Sequence, residues 1–155
     1  MTGRDSDAAT LVRRAREDAG LSQRALATLA GVKQPNLAMI ESGARVPSGE
    51  LLSRILSAAR MRPSIPLELF AERILELAPR FGVDDIRVFG SAARGTDTAD
   101  SDADLLVRAK PEVDFLTLAA FRQAVSELIG FPVDAIVDNT DDPVVQVLRR
   151  DAVPL

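Results

Sequence analysis

The stretch Met61-Arg62-Pro63-Ser64-Ile65-Pro66 constrains this chain more than any other, because each of its two prolines pushes the residue before it out of the helical region. No single helix is expected to run through it, and the patterning differs on its two sides. Before it, short runs of helical period are punctuated by Gly and Ser; after it, β-prone runs alternate with helical ones. Charge changes at the same place. Residues 1–65 carry 10 basic and 6 acidic side chains, a net of +4, whereas residues 66–155 carry 9 basic and 17 acidic, a net of −8. Two domains are therefore expected, 1–62 and 67–155, joined by a linker at 63–66 and having different partners.

Composition narrows the chemistry. The chain has no Cys, His, Trp or Tyr, which excludes zinc fingers, disulfides, a Cys nucleophile and a Ser-His-Asp triad. Any metal must be a hard cation held by oxygen, Mg²⁺ above all. Six Phe supply few stacking platforms for single-stranded nucleic acid. No run approaches the roughly 18 apolar residues of a membrane span, and Met1 to Ala9 is polar and acidic, so a soluble, cytoplasmic protein with no membrane partner is expected.

The first half predicts an all-α domain of four to five helices: one from about Ala8 to Ala19, one capped by Ser22 and ended by Gly31, one from Gln34 with Pro35 in its first turn, and one following Ser48. Leu26, Val32, Leu37 and Ile40 can form its small core. The string L-S-Q-R-A-L-A-T-L-A-G-V-K-Q-P-N-L-A-M-I-E-S-G, Leu21 to Gly43, resembles the helix-turn-helix of the Cro and phage-repressor (XRE) family, over residues 8–62. The resemblance implies that the helix from Gln34 lies in the major groove. Gln34 is then the base reader, its amide suited to adenine, and Gln23 approaches the phosphate backbone. Lys33, Asn36 and Arg45 complete the DNA-binding candidates, with Arg13, Arg14 and Arg16 joining them if they face the duplex. Lys33 stands where the family usually has a capping Ser or Thr. A dimer on palindromic operator DNA is implied; the competing reading is a helical module kept for dimerisation or partner binding.

The second half predicts an α/β domain with a small mixed sheet. Strands are expected at 86–89, 104–107 and 131–137. A helix led by Pro66 should carry Leu67, Phe70, Ile74 and Leu77; one over 111–129 should bury Phe115, Leu118, Phe121, Val125 and Leu128; and a last one should span 143–150. Phe89 to Val107 contains Gly90 and Ser91, then ten residues, then Asp102-x-Asp104. Gly90 lets a phosphate approach the backbone, and Ser91 offers a hydroxyl and an amide at a helix start. Asp102 and Asp104, two apart on extended chain, point to one side and can share Mg²⁺. Asp97, Asp100, Asp102 and Asp104 crowd four carboxylates into eight residues, a costly arrangement without cations. Arg94 can contact phosphate or pair with Asp97 or Asp100. Asp134 is the candidate third ligand from a separate strand, with Asp138 on the same face as its rival. The Arg149-Arg150 pair is read as a solvated helix face rather than a substrate clamp.

From about Leu67 to the end, including Phe81-Gly82-Val83 and the closing Ala152-Val153-Pro154-Leu155, the chain resembles the minimal nucleotidyltransferase (MNT) branch of the DNA polymerase beta-like superfamily, related to kanamycin nucleotidyltransferase. The resemblance implies transfer of a nucleoside monophosphate, usually from ATP, to a hydroxyl. Asp102, Asp104 and Asp134 would be the catalytic metal ligands, and Gly90, Ser91 and Arg94 would hold the nucleotide. Proteins of this branch are often antitoxins that adenylylate a tyrosine of a HEPN-type ribonuclease toxin. An antitoxin working as a homodimer or in a hetero-oligomer with such a toxin is the leading expectation. The alternatives are a repressor whose second domain only senses nucleotide or holds the toxin, and a small-molecule nucleotidyltransferase.

Overall fold

A computed structural model describes the backbone of residues 3–138 and 141–155 and the side chains from Asp7 onward. The chain divides into two compact units, one built on residues up to Arg62 and one on residues from Pro63.

The first unit is helical: α1 (Gly3–Asp18), α2 (Gln23–Ala30), α3 (Gln34–Glu41) and α4 (Gly49–Ala58). Its punctuation is chemical. Ser22 and Ser48 each accept a hydrogen bond from a first-turn amide, of Ala25 and Leu51, and Gly31 closes α2 in the left-handed conformation at φ 64°. Lys33 precedes α3 without a side-chain cap, and Pro35 sits in the first turn, where a missing N–H costs little. The helix expected from Ala8 begins at Gly3. Leu11, Val12, Leu26, Leu37, Ile55 and Leu56 are fully buried and close the unit. Val32 is only half-buried.

The second unit begins earlier than its prolines suggest. The segment expected as a linker, 63–66, instead carries the start of α5 (Ser64–Leu69), because Pro63 already has helical dihedrals and Pro66 falls in the first turn. The single helix expected over Leu67 to Leu77 is two: Phe70, at φ −109° and ψ 16°, interrupts it, and α6 covers Ala71–Leu77. A 3₁₀ turn over 78–81 then leads into β1 (Val83–Phe89), α7 (Gly90–Arg94), β2 (Ala103–Ala109), α8 (Phe115–Ile129), β3 (Val133–Val137), α9 (Pro143–Asp151) and the two-residue β4 (Val153–Pro154).

The strands form one mixed sheet in the order β3-β2-β1-β4, with β1 antiparallel to β2 and β4, and β2 parallel to β3 through the α8 crossover. Leu105, Leu106 and Val107, consecutive on β2, are all fully buried, so the central strand is covered on both faces. Phe121, Val125 and Ile129 make the buried stripe of α8, and the Phe121 ring meets Phe81 edge-on at 5.9 Å. Phe115, expected in that stripe, is 77% exposed. Asp114 caps α8 by accepting the Thr117 N–H at 2.8 Å, so the helix starts at 115 rather than 111. Six residues before Phe121, Phe115 then lies about 120° from it around the axis. Among the described residues no helix is long and apolar enough to cross a membrane.

Candidate functional site

The site is assembled where β1 ends and β2 begins. Phe89 pairs with Asp104, and the next residue, Gly90, turns into α7 at φ 70°. A Cβ at Gly90 would lie 2.3 Å from Asp104 Oδ2, so the Gly90 backbone rests directly against that carboxylate. Ser91 follows on α7, and its carbonyl accepts the Thr96 N–H at 3.0 Å, closing the loop that leads to the aspartates. Ala103 is fully buried while Asp102 is exposed and Asp104 half-buried. That alternation sets the two carboxylates on the same side of the extended chain. One strand over, Asp134 stands in register opposite Asp104.

Charge is crowded at this edge. The Asp104 carboxyl is pushed above its ordinary value, first by burial and then by the negative charges of Asp102 and Asp134, with Arg94 partly offsetting them. Arg94 makes no ion pair with Asp97 or Asp100 among the described residues, and its charge bears on Asp104 instead. Asp97 turns inward: it is 6% exposed and accepts the Ser64 N–H at 2.8 Å, tying the α7–β2 loop to the start of α5. Asp134 is held by Arg122 of α8, Nη2 to Oδ1 at 2.9 Å. Accordingly, among the described residues no three carboxylates converge into a set that encloses a metal ion. The donor chemistry nevertheless fits a divalent cation: among the described residues Asp102 and Asp104 lack a cationic contact partner, Arg94 offsets the crowding at Asp104 only in part, and Gly90 keeps the space beside Asp104 clear of a Cβ.

Asp138, the rival to Asp134, has another role. It is buried, its carboxylate takes hydrogen bonds from Arg87 of β1 and Arg149 of α9, and its N–H bonds to the Val107 carbonyl. Burial alone would raise its carboxyl; the two guanidinium groups outweigh burial and hold it below its ordinary value. Arg149, half-exposed, is therefore part of a clasp on the buried Asp138, contrary to the solvated face expected for it, whereas Arg150 is exposed.

In the first unit, Gln23 and Gln34 are coupled rather than independent. Glu41, with 4% of its side chain exposed, accepts from Arg16 Nε at 2.6 Å and Nη2 at 3.2 Å, and from Gln23 Nε2 at 3.0 Å. Gln34 Nε2 in turn donates to Gln23 Oε1 at 3.1 Å. A carboxylate only accepts, so Glu41 dictates which end of the Gln23 amide faces it and, through Gln23, the orientation of Gln34. One N–H and the Oε1 of Gln34 remain, the pair that a bidentate contact to adenine uses. Arg16, a conditional DNA contact, is committed to this network instead. Lys33, Asn36 and Arg45 gather separately around a cleft of about 440 Å³ with Gly31, Val32 and Arg54. Glu41 and Arg122 escaped sequence reasoning, because their partners lie far away in the chain or on another strand.

A helix-turn-helix family model matches residues 12–64, and a nucleotidyltransferase domain model matches residues 67–153. Protein adenylyltransferase MntA of Thermococcus cleftensis is 37% identical over 65 residues, 42% of this chain and 66% of that protein. An uncharacterized HTH-type transcriptional regulator of Mycobacterium tuberculosis is 40% identical over 56 residues, 36% of this chain and 40% of that protein. The chain thus spans two thirds or less of the length of these two relatives. A solved structure described as a minimal nucleotidyltransferase superposes with a TM-score of 0.54 at 34% identity, covering 59% of this chain and 95% of that one. With more than half of its residues matched, the chain, a helix-turn-helix unit followed by an α/β unit, belongs to the nucleotidyltransferase domain family.

Proposed function

We propose that the α/β unit transfers AMP from ATP to a hydroxyl of a partner protein, a HEPN-type ribonuclease toxin modified on tyrosine, and that the helix-turn-helix holds the protein on its own promoter. One observation carries the catalytic half: the bare Gly90 backbone packs against Asp104, which neighbours Asp102 in sequence and Asp134 across the sheet. The relative named as a protein adenylyltransferase supports the choice of a protein as acceptor.

Gly90 leaves a phosphate free to approach the chain, the Ser91 hydroxyl can donate to it, and Arg94 supplies the positive charge on that side. Magnesium held by Asp102, Asp104 and Asp134 would neutralise the triphosphate and acidify the acceptor hydroxyl. The acceptor oxygen forms a bond to the α-phosphorus, the bond from that phosphorus to the bridging oxygen breaks, pyrophosphate leaves with the bridging oxygen, and the hydroxyl proton passes to solvent water. The chain has no Tyr, so a tyrosine acceptor must belong to another molecule. On the DNA side, the oriented Gln34 amide reads a base, while Lys33, Asn36 and Arg45 meet the phosphates.

Incubation with Mg²⁺, ATP and the product of the adjacent gene, read by intact mass, tests the reading. A gain of one or more AMP units on the partner is expected, and it should vanish with Asp102→Asn or Asp104→Asn. A toxin neutralised fully by those variants, with no mass gain, would instead establish a binding antitoxin whose second domain does no chemistry.

A further inference from the structure

The three candidate ligands are not equivalent. Asp102 and Asp104 have no cationic side chain in contact among the described residues, whereas Asp134 has one. Arg122 is fastened to β3 at two points: Nη2 donates to Asp134 Oδ1 at 2.9 Å, and Nε donates to the Val133 carbonyl at 3.1 Å. Glu127 is the only acid on α8 itself and bonds Gln123, so the Arg122 charge is committed across the strand rather than along its helix. The in-register position of Asp134 brings its backbone beside that of Asp104, about 4.8 Å away. Yet among the described residues no three acidic side chains are placed to hold a metal ion. The backbone placement suits a shared ion, while the Asp134 side chain is engaged by the guanidinium.

We propose that Arg122 is a counter-ion latch on Asp134: it holds the third carboxylate away from Asp102 and Asp104, and Asp134 joins them only by exchanging Arg122 for a divalent cation. This rests on the reading of those three residues as the cation site. Arg122 is thus a positioning residue. While the site is empty, the latch keeps a third negative charge from adding its full weight to a crowded edge. Once the site is filled, the two half-exposed side chains, 37% for Arg122 and 57% for Asp134, can part at small cost.

Mn²⁺ titration of the full chain, followed by electron paramagnetic resonance, tests the latch without any turnover. Arg122→Met should bind Mn²⁺ about fivefold more tightly than wild type, equivalent to ~1 kcal/mol, the upper range for a half-exposed ion pair. Arg122→Lys, which keeps the charge but loses the two-point grip, should fall between them, and Arg122→Gln serves if the methionine variant does not fold. In the cation-free protein, Arg122→Met should also melt lower, and saturating Mn²⁺ should narrow the gap. Unchanged or weaker Mn²⁺ binding by folded Arg122→Met and Arg122→Gln overturns the latch. So does an Asp134→Asn variant that binds Mn²⁺ as wild type does. If no Mn²⁺ binding depends on Asp104, the cation site itself fails, and the latch falls with it.

Discussion

Replacing Glu41 by glutamine changes one oxygen for an NH₂ and should reverse a chain of amides. The new side chain can still accept from Arg16 through its remaining oxygen, but its NH₂ would then face the NH₂ of Gln23, which lies 3.0 Å from Glu41 Oε2 in the native protein. Gln23 must turn over, and Gln34, which donates to Gln23 Oε1, must turn with it. The same change leaves the Arg16 guanidinium, 18% exposed, without its main counter-charge. Breaking a buried pair from one side costs about 3–5 kcal/mol. Arg16 keeps Glu17 at 3.7 Å and the Leu21 carbonyl at 3.1 Å, so ~2–3 kcal/mol is the reasonable figure here. A unit of this size has a total stability of about 3–9 kcal/mol. Its melting transition should therefore drop by roughly 10–20 °C.

Circular dichroism melts of the full chain measure the first effect, and selection of binding sites from a random duplex pool measures the second. A Glu41→Gln protein that melts within about 3 °C of wild type would refute the claim that the pair supports the fold. The double change Arg16→Met with Glu41→Met separates stability from reading. An apolar pair of similar volume should recover most of the melting temperature. It cannot orient Gln23, so the base preference contributed by Gln34 should stay relaxed. Restored melting together with restored wild-type preference would sink the idea that Glu41 sets the Gln34 amide.

Gly90→Ala should reduce AMP transfer by at least about a hundredfold in a labelled-ATP assay, because the new methyl meets Asp104 Oδ2 at 2.3 Å on a residue already at φ 70°. Asp104→Asn should raise the melting temperature of the cation-free protein at pH 7 while abolishing transfer. The folded Asp104 carboxyl titrates above its ordinary value, so its ionisation costs stability as pH rises through that range; the gain should disappear in melts at pH 3, where both forms are neutral. Asp138 has the opposite sign. Its folded carboxyl is held low, so its contribution is fully present above about pH 4 and is lost as pH falls further; acid-unfolding curves of Asp138→Asn should lose that limb. Phe121→Ala should cost about 3–5 kcal/mol in urea unfolding, while Phe115→Ser should cost under about 0.5 kcal/mol.

What sequence could and could not show divides along physical lines. Ser22, Gly31 and Ser48 act on backbone groups within a turn of them, so the ends of α2 and the start of α4 were legible from the local sequence. The pairing of Gly90 with Asp102-x-Asp104 was legible because a strand-turn-helix and the following strand put near neighbours in the chain together. Prolines misled: the pair set the expected helix start at Pro66, but Pro63 serves as the N-cap and the first turn tolerates Pro66, so α5 forms over the expected linker. Phe115 misled because it is apolar but sits six residues before Phe121, about 120° around the helix from it and so off the buried stripe. β4, two residues long, carries no periodicity to read. The partners of Asp134, Asp138 and Glu41 lie 12, 51 and 25 residues away, at Arg122, Arg87 and Arg16, and spacing in sequence says nothing about such pairs.

Those distant pairs are what separates a structural carboxylate from a working one. Asp85 is bracketed by Arg87 and Arg108, Asp138 by Arg87 and Arg149, and Asp97 receives a backbone N–H. For Asp85 and Asp138 folding itself supplies the compensating charge, whereas at Asp97 the N–H satisfies Oδ2 and leaves Oδ1 buried without a partner among the described residues. Asp102 and Asp104 have no such contact among the described residues, and Asp104 is pushed up by burial and then by the crowding. A fold that leaves two carboxylates side by side, one of them half-buried, gives up stability there, and a bound cation would recover the loss. Asp134 falls between the two classes, since its compensating charge sits on a half-exposed arginine that can leave. By charge compensation, then, Asp102 and Asp104 are the first candidates for the proposed cation, Asp134 is the conditional one, and Asp138 is the least suited.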